Sequence, residues 1–184
     1  MVHPVSGASR AVVVSDLSPY EPSAGEPAIF MGRAMQGQDG EFLGVLVFQL
    51  PVDRIRSIMQ FDAGMGDSGE TYLVGEDYLM RSDSRFSRAS TVLEISVETQ
   101  AVRRALGGAQ GVMIMSDYRG IPVLSAYDSV EIDRHRWAIL AEIDDAEAAV
   151  GQQQTTPSGL INVTAPVRFG ELHVASAINA YLQR

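Results

Sequence analysis

Arginine, aspartate and tyrosine residues recur between positions 72 and 127, and their side chains are well suited to binding a small molecule. An arginine guanidinium holds a carboxylate through paired hydrogen bonds, and an aspartate beside aromatic rings holds an ammonium group. Tyrosine hydroxyl groups can hydrogen-bond to either kind of ligand. The candidate binding residues are Tyr72, Arg81, Asp83, Asp117, Tyr118, Arg119 and Tyr127.

A purely structural interpretation of the same residues stays open. The segment RSDSR at 81–85 is also typical of a loop whose arginines and aspartates pair with one another, and DYRG at 117–120 is typical of a β-turn. Ion pairs of this kind are common on protein surfaces and contribute little to stability. The residue pattern therefore supports two interpretations, a binding site and a set of loop charges.

The rest of the sequence lacks catalytic and metal-binding patterns. The chain has no cysteine and no lysine, which excludes thiolate zinc sites, thiol catalysis and Schiff-base chemistry. The acidic run at 144–147 lacks the pattern and the glycine of an EF-hand, and we interpret it as a solvated helix start. The histidines lie far apart, without metal-ligand spacing, at His3, His135 and His173. We therefore expect no enzyme activity, no metal site and no cofactor.

Composition narrows the class of protein further. The 184 residues include 14 basic and 23 acidic side chains, a net charge of −9, so nucleic acid is not an expected partner. Hydrophobic residues make up 46% of the chain, which is enough for a packed core. The densest apolar run, 42–50, is about half as long as a membrane span, which needs about 20 residues. The N-terminus lacks the pattern of a secretory signal. We expect the chain to be soluble as it stands.

The elements that must position the candidate residues are short strands and two helices. Asp39-Gly40 predicts a tight turn between two antiparallel strands, and Gly107-Gly108 predicts a helix end. The order of elements shows no βαβ alternation, which indicates an α+β fold on an antiparallel sheet, as in PAS-like domains. The predicted strands are 11–15, 28–35, 42–50, 71–74, 78–81, 112–116, 123–128 and 137–143, and the predicted helices are 52–60 and 98–106.

Five segments carry a resemblance to a known family. They are SDLSPYEPSAGEPAIFMG (15–32), GVLVFQLPVDRIRSIM (44–59), GETYLVGEDYLMRSDSR (69–85), DYRGIPVLSAY (117–127) and RWAILAEIDDAEA (136–148). Together they resemble the double-Cache sensor domains of bacterial transmembrane receptors, over about residues 11–149. In those domains two PAS-like modules follow one another along the chain, one distal from the membrane and one proximal to it.

The resemblance implies a domain organisation. Residues 11–60 resemble the closing strands of a distal Cache module and the connecting helix, and 61–150 resemble a whole proximal module. The first half of the distal module is not represented. Residues 151–184 do not resemble the family; their pattern predicts a linker, a strand and an amphipathic helix of uncertain origin.

The resemblance also implies a function. Such domains sense ligands on the periplasmic face of the membrane for chemoreceptors, adenylate or guanylate cyclases and histidine kinases, and relay a conformational change across the membrane. The seven candidate residues would then line a pocket between the sheet and its covering loops, for an amino acid, amine or carboxylate. The membrane would be reached only through flanking segments, and a homodimer is compatible with this arrangement. The alternative is a dimerisation or protein-interaction module that binds no small molecule.

Overall fold

Two antiparallel sheets follow one another along residues 11–60 and 65–146, which are the residues that this computed structural model describes. The predicted linker, strand and helix of 151–184 lie outside the described residues, as do His3 and His173. Within the described ranges, no helix is long and apolar enough to cross a membrane.

The first sheet is built around one long strand. β3 (Pro27–Gln36) pairs with three other strands, β1 (Val13–Val14), β2 (Ser18–Pro19) and β4 (Phe42–Leu50). β3 and β4 form the hairpin that Asp39-Gly40 predicts, and Gly40 has the positive φ, 80°, that this turn requires. The hairpin prediction is confirmed.

The second sheet has the order β5-β8-β7-β6 and every pairing in it is antiparallel. Its strands are β5 (Glu70–Val74), β6 (Gly111–Ser116), β7 (Pro122–Ile132) and β8 (His135–Asp144). β8 is therefore an inner strand, with β5 on one side and β7 on the other. The predicted α+β fold on an antiparallel sheet is confirmed.

Within the described residues, two α-helices and one short 3₁₀ helix (Glu21–Ser23) accompany the sheets. α1 (Val52–Met59) follows β4 directly, and α2 (Gln100–Leu106) lies between β5 and β6 in the chain. α2 begins at Thr99, whose side chain accepts a hydrogen bond from the backbone N–H of Val102, and Gly108 follows it with φ 82°. Its buried face packs with side chains of β5 and β8 in one core cluster.

One predicted strand is wrong. Residues 78–81 form only two isolated β-bridges, Val74 with Met80 and Leu79 with Ser96. Tyr78 has φ 64°, in the left-handed region, so the backbone cannot be extended there. The tight turn predicted at 75–77 is present, with the Tyr78 N–H donating to the carbonyl oxygen of Gly75, and it brings the backbone N–H of Arg81 to the carbonyl oxygen of Leu73.

β4 exposes apolar side chains on both of its faces. Phe42 and Leu43 point to opposite faces of the sheet, and their exposed fractions are 64% and 59%. The same holds further along the strand for Leu46, Val47 and Phe48. Within the described residues β4 pairs with β3 alone.

Candidate functional site

A cluster of polar side chains lies on the face of the second sheet that α2 also covers. Glu142 on β8 stands at its centre, because its direct cross-strand neighbours are Glu70 on β5 and Ser125 on β7. Tyr72 is two residues after Glu70 and so shares that face. We call the set formed by Glu70, Tyr72, Ser84, Asp117, Tyr118, Arg119, Ser125 and Glu142 the carboxylate cluster.

Hydroxyl groups hold two of the carboxylates. The Tyr72 hydroxyl donates to Glu142 Oε2 at 2.9 Å. The Tyr118 hydroxyl donates to Glu70 Oε1 at 2.9 Å, and Ser84 Oγ donates to Glu70 Oε2 at 2.8 Å. The Tyr72 and Tyr118 rings meet edge to face with centroids 5.6 Å apart. These contacts fix the orientation of both glutamates.

The turn between β6 and β7 supplies the third carboxylate. Asp117 Oδ1 accepts the backbone N–H groups of Arg119 and Ile121 at 2.7 and 2.9 Å. Asp117 Oδ2 accepts Arg119 Nε at 2.6 Å. Burial disfavours a charged guanidinium, but the neighbouring Asp117 carboxylate outweighs it and raises the pKa of Arg119. The Arg119 guanidinium also lies 4.1 Å from the centre of the Phe86 ring.

Burial and charge make the cluster unusual. Glu70, Asp117 and Glu142 are 2%, 6% and 1% exposed, and one oxygen atom from each lies within 4.8 Å of the other two. Burial raises the pKa of Glu142 to about 7; the charges of Asp117 and Glu70 act in the same direction, and the hydrogen bond from the Tyr72 hydroxyl acts against it. Three carboxylates thus share a small buried volume with one guanidinium.

Two oxygen atoms of the cluster have no hydrogen-bonding partner. They are Glu142 Oε1 and Ser125 Oγ, and both belong to residues that are almost completely buried. A buried polar atom without a partner costs about 1–3 kcal/mol, so such atoms usually face a ligand, an ion or an ordered water. The cluster is therefore a candidate binding site.

Four of the seven residues predicted from the sequence come together here: Tyr72, Asp117, Tyr118 and Arg119. The interpretation of 117–120 as a turn also holds, since the Gly120 N–H donates to the carbonyl oxygen of Asp117 at 3.0 Å. Tyr127 lies on the same face of β7 as Ser125 but packs in the core under α2, with its hydroxyl 3.4 Å from Arg104 Nη1.

Arg81 lies away from the cluster. It is 1% exposed, and its Nη2 donates to Asp16 Oδ2 and to Asp77 Oδ2, at 2.9 Å in both cases. Asp16 also accepts the indole N–H of Trp137 at 2.9 Å. Arg81 thus joins the segment after β1 to the second sheet, which is a structural task.

Asp83 also has structural partners. Its Oδ1 accepts Ser90 Oγ and the backbone N–H of Thr91, both at 2.8 Å, and its Oδ2 accepts Arg56 Nε of α1 at 2.8 Å. The charged groups of 81–85 therefore pair with other segments and not, as the structural interpretation expected, with one another.

Sequence reasoning missed Glu70, Ser84, Ser125 and Glu142. A signal for Glu142 was present: β8 alternates, with Ala138 and Leu140 buried on the face that Glu142 shares. An acidic residue at an inward position of a strand needs a partner or a ligand.

Comparison with known proteins shows the fold. No protein-family model matches the sequence, and no curated protein matches it either. Solved structures do match. The periplasmic sensory domain of the Campylobacter jejuni chemoreceptor Tlp1 has a TM-score of 0.58 and 15% identity, covering 83% of this chain and 53% of that one. The extracellular domain of mmHK1S-Z3, assigned as a histidine kinase, has a TM-score of 0.59 and 16% identity, covering 79% and 53%.

A third match carries a ligand in its own structure. The ligand-binding domain of the Pseudomonas aeruginosa amino acid chemoreceptor PctC, in complex with GABA, has a TM-score of 0.53 and 16% identity, covering 73% of this chain and 57% of that one. The chain thus spans little more than half the length of these domains. The fold of the described residues is that of extracytoplasmic sensor domains, which confirms the double-Cache resemblance at the level of the fold.

Proposed function

We propose that this chain is the ligand-sensing part of an extracytoplasmic receptor domain, and that the carboxylate cluster is where its small-molecule ligand is recognised. One observation carries the proposal: the carboxylate cluster is buried on one face of the second sheet, and two of its oxygen atoms have no hydrogen-bonding partner. The fold around it is that of sensor domains. The related domains are described as sensory or ligand-binding domains, which supports binding without catalysis as the activity.

The chemistry of the cluster favours a small ligand that carries an ammonium group, as amino acids and amines do. Glu70, Asp117 and Glu142 would accept its N–H groups, and Arg119 with Tyr118 would hold a carboxylate if the ligand has one. Tyr118 and Arg119 are both partially exposed, and 21% of the Arg119 side chain is accessible. PctC in complex with GABA, which has both groups, is consistent with this class.

The relay of the signal follows from the elements that the cluster joins. A ligand that draws Asp117 and Arg119 toward Glu142 would shift the β6–β7 turn relative to β8. Such a shift changes the populations of two arrangements only if the ligand binds one of them more tightly. The parent protein would then carry membrane-spanning flanks and a chemoreceptor, cyclase or histidine-kinase output.

The test is a ligand screen on the full chain by thermal shift, followed by calorimetry. Amino acids, amines and small carboxylates are compared, and at least one is expected to raise the melting temperature and bind with one site per chain. Asp117→Asn should weaken that binding about tenfold or more, since it removes a charge-assisted contact, whereas the exposed control Glu94→Gln should leave it unchanged. The proposal would be overturned if no compound raised the melting temperature, or if Asp117→Asn bound the ligand as tightly as the wild type.

The exposed apolar side chains of β4 favour a second candidate function, a dimerisation or protein-interaction module. Exposed apolar patches of this kind mark interaction surfaces. Sedimentation velocity across a concentration series would test it, because the double variant Leu43→Lys, Phe48→Lys should abolish any association that the wild type shows. A wild type that stays monomeric throughout and captures no protein partner would exclude this function.

A further inference from the structure

We propose that Glu70, Asp117 and Glu142 form a calcium site, in which a divalent cation competes with the ammonium group of an organic ligand for the same oxygen atoms. The inference goes beyond the proposed function, because it concerns an inorganic ion and can be tested without any organic ligand.

The positions of the oxygen atoms fit one ion. Oxygen atoms bound to the same Ca²⁺ at 2.3–2.6 Å lie at most about 5 Å apart. One oxygen from each of the three carboxylates already lies within 4.8 Å of the others. A single ion can therefore contact all three after small side-chain movements.

A second observation, independent of the acidic residues, points to an occupant. Ser125 is 0% exposed and its hydroxyl has no partner, although it stands directly across from Glu142 in the β7–β8 pairing. Glu142 Oε1 beside it also lacks a partner. Glu142 Oε1 is a carboxylate oxygen of the type that calcium binds, and an ion beside it would also give the Ser125 hydroxyl oxygen a partner.

Charge favours a divalent ion over a monovalent one. When all groups are ionised, the three buried carboxylates and the Arg119 guanidinium leave a net charge of −2, and the partially exposed Asp144 carboxylate, 3.6 Å from Arg119 Nη2, adds to the negative side. Uncompensated buried charge is costly, so the best-matched occupant carries two positive charges. A bound ammonium group would leave one negative charge uncompensated.

Burial favours calcium over magnesium. Each of the three carboxylates is 6% exposed or less, so an ion there must shed most of its water. Mg²⁺ dehydrates reluctantly and requires near-octahedral geometry, whereas Ca²⁺ accepts irregular sets of protein oxygens. The hydroxyl groups of Tyr72, Tyr118 and Ser84 lie in the same cluster as further oxygens.

The site was not visible in the sequence because its ligands come from three separate elements. Glu70 lies at the start of β5, Asp117 in the turn after β6, and Glu142 near the end of β8. Only the pairing of β5 with β8 places Glu70 next to Glu142. The three residues are far apart in the sequence, so they do not form a local motif with regular spacing such as that of an EF-hand.

Titration of the EDTA-treated full chain with CaCl₂, by calorimetry and thermal shift, tests the site. We expect one ion per chain and a higher melting temperature, with MgCl₂ at least tenfold weaker. Glu142→Gln should weaken Ca²⁺ binding by about tenfold or more. Glu94→Gln is the control: it makes the same change at an exposed position in the loop before α2, and it should leave Ca²⁺ binding unchanged.

A spectroscopic measurement on the wild type keeps the test independent of how well a variant folds. Tb³⁺ replaces Ca²⁺ in oxygen sites and emits when nearby tyrosine rings are excited; Tyr72 and Tyr118 both contact the carboxylates. Tyrosine-sensitised Tb³⁺ emission that Ca²⁺ displaces would support the site. Several weak ions per chain, no displacement, or equal binding by Glu142→Gln would overturn it. Stabilisation by methylammonium chloride without any by CaCl₂ would overturn it too, while leaving the proposed sensing function intact.

Discussion

Asp16 forms one of the polar connections between the segment after β1 and the second sheet. Its carboxylate accepts hydrogen bonds from Arg81 Nη2 and from the indole N–H of Trp137, and a further one from the backbone N–H of Leu17. Arg81 is buried and shares its charge with Asp77 as well. Removing the Asp16 charge would leave the Arg81 guanidinium with one partially exposed partner.

Asp16→Asn is therefore expected to destabilise the chain by about 1–3 kcal/mol, less than the loss of a fully buried pair because the Asp16 side chain is 27% exposed. Urea unfolding followed by circular dichroism measures the free energy of unfolding. Asp53→Asn serves as the control, because the Asp53 side chain is 89% exposed and its pairing with Arg56 contributes little. Equal effects of the two substitutions would contradict the proposed role of Asp16.

The lowered pKa of the Asp16 carboxyl also predicts how the stability of the protein depends on pH. Burial alone would raise its pKa, but the hydrogen bonds and charge of Arg81 outweigh burial and hold the pKa below the ordinary value of 3.8. A carboxyl with a lowered pKa contributes stability that is complete above its unfolded-state pKa and is lost as the pH falls through its folded-state pKa. The pKa of Asp83 is also lowered, against the effect of burial, by hydrogen bonds and by the charge of Arg56.

The free energy of unfolding should thus fall steeply below about pH 4, in unfolding curves recorded from pH 6 downwards. Asp16→Asn should show a shallower fall, because it lacks one of the two groups responsible. If the free energy of unfolding fell equally steeply with pH in the wild type and in Asp16→Asn, protonation of Asp16 would not be a cause of the acid destabilisation.

At the scale of elements, α2 covers the sheet face that carries the carboxylate cluster. It is only seven residues long, so its stability rests on packing and on its cap more than on helix propensity. The Thr99 hydroxyl accepts the Val102 N–H at 3.4 Å. Arg103 and Arg104 in the last turn complement the helix dipole.

Thr99→Ala is expected to cost about 1 kcal/mol, because it leaves one N–H group of the first turn without its partner. Thermal unfolding measures the loss. Thr99→Ser keeps the hydroxyl and should retain most of the stability, so a serine variant as unstable as the alanine variant would show that the methyl group, and not the cap, is responsible.

The elements also show which features local sequence determines. The β3–β4 hairpin and the C-terminal end of α2 could be predicted because Asp39-Gly40 and Gly107-Gly108 act through the backbone of their own immediate neighbours. The start of α2 was predicted at residue 98, whereas Thr99 caps a helix that begins at Gln100. The strand predicted at 78–81 was wrong. Its apolar and β-forming residue types favour a strand, but they do not reveal that Tyr78 has a left-handed φ.

At the scale of the whole molecule, the candidate site depends on contacts between residues distant in the chain. Tyr72, Asp117, Tyr118 and Arg119 could be selected by residue type alone. Glu70 and Glu142 could not be joined to them, since their proximity follows from strand order, β8 lying between β5 and β7. Arg81 and Asp83 have the residue types of a binding site, yet the tertiary structure pairs them with charged residues outside the cluster.

The hydrogen bond from Trp137 to Asp16 has an optical consequence. Trp137 is the single tryptophan of the chain and is 2% exposed, so all indole fluorescence originates at the point where the segment after β1 meets the second sheet. Release of that segment would admit water to the indole and shift its emission to longer wavelength. The protein thus contains its own reporter for movement between the two sheets, and that movement can be followed in real time without attaching a dye.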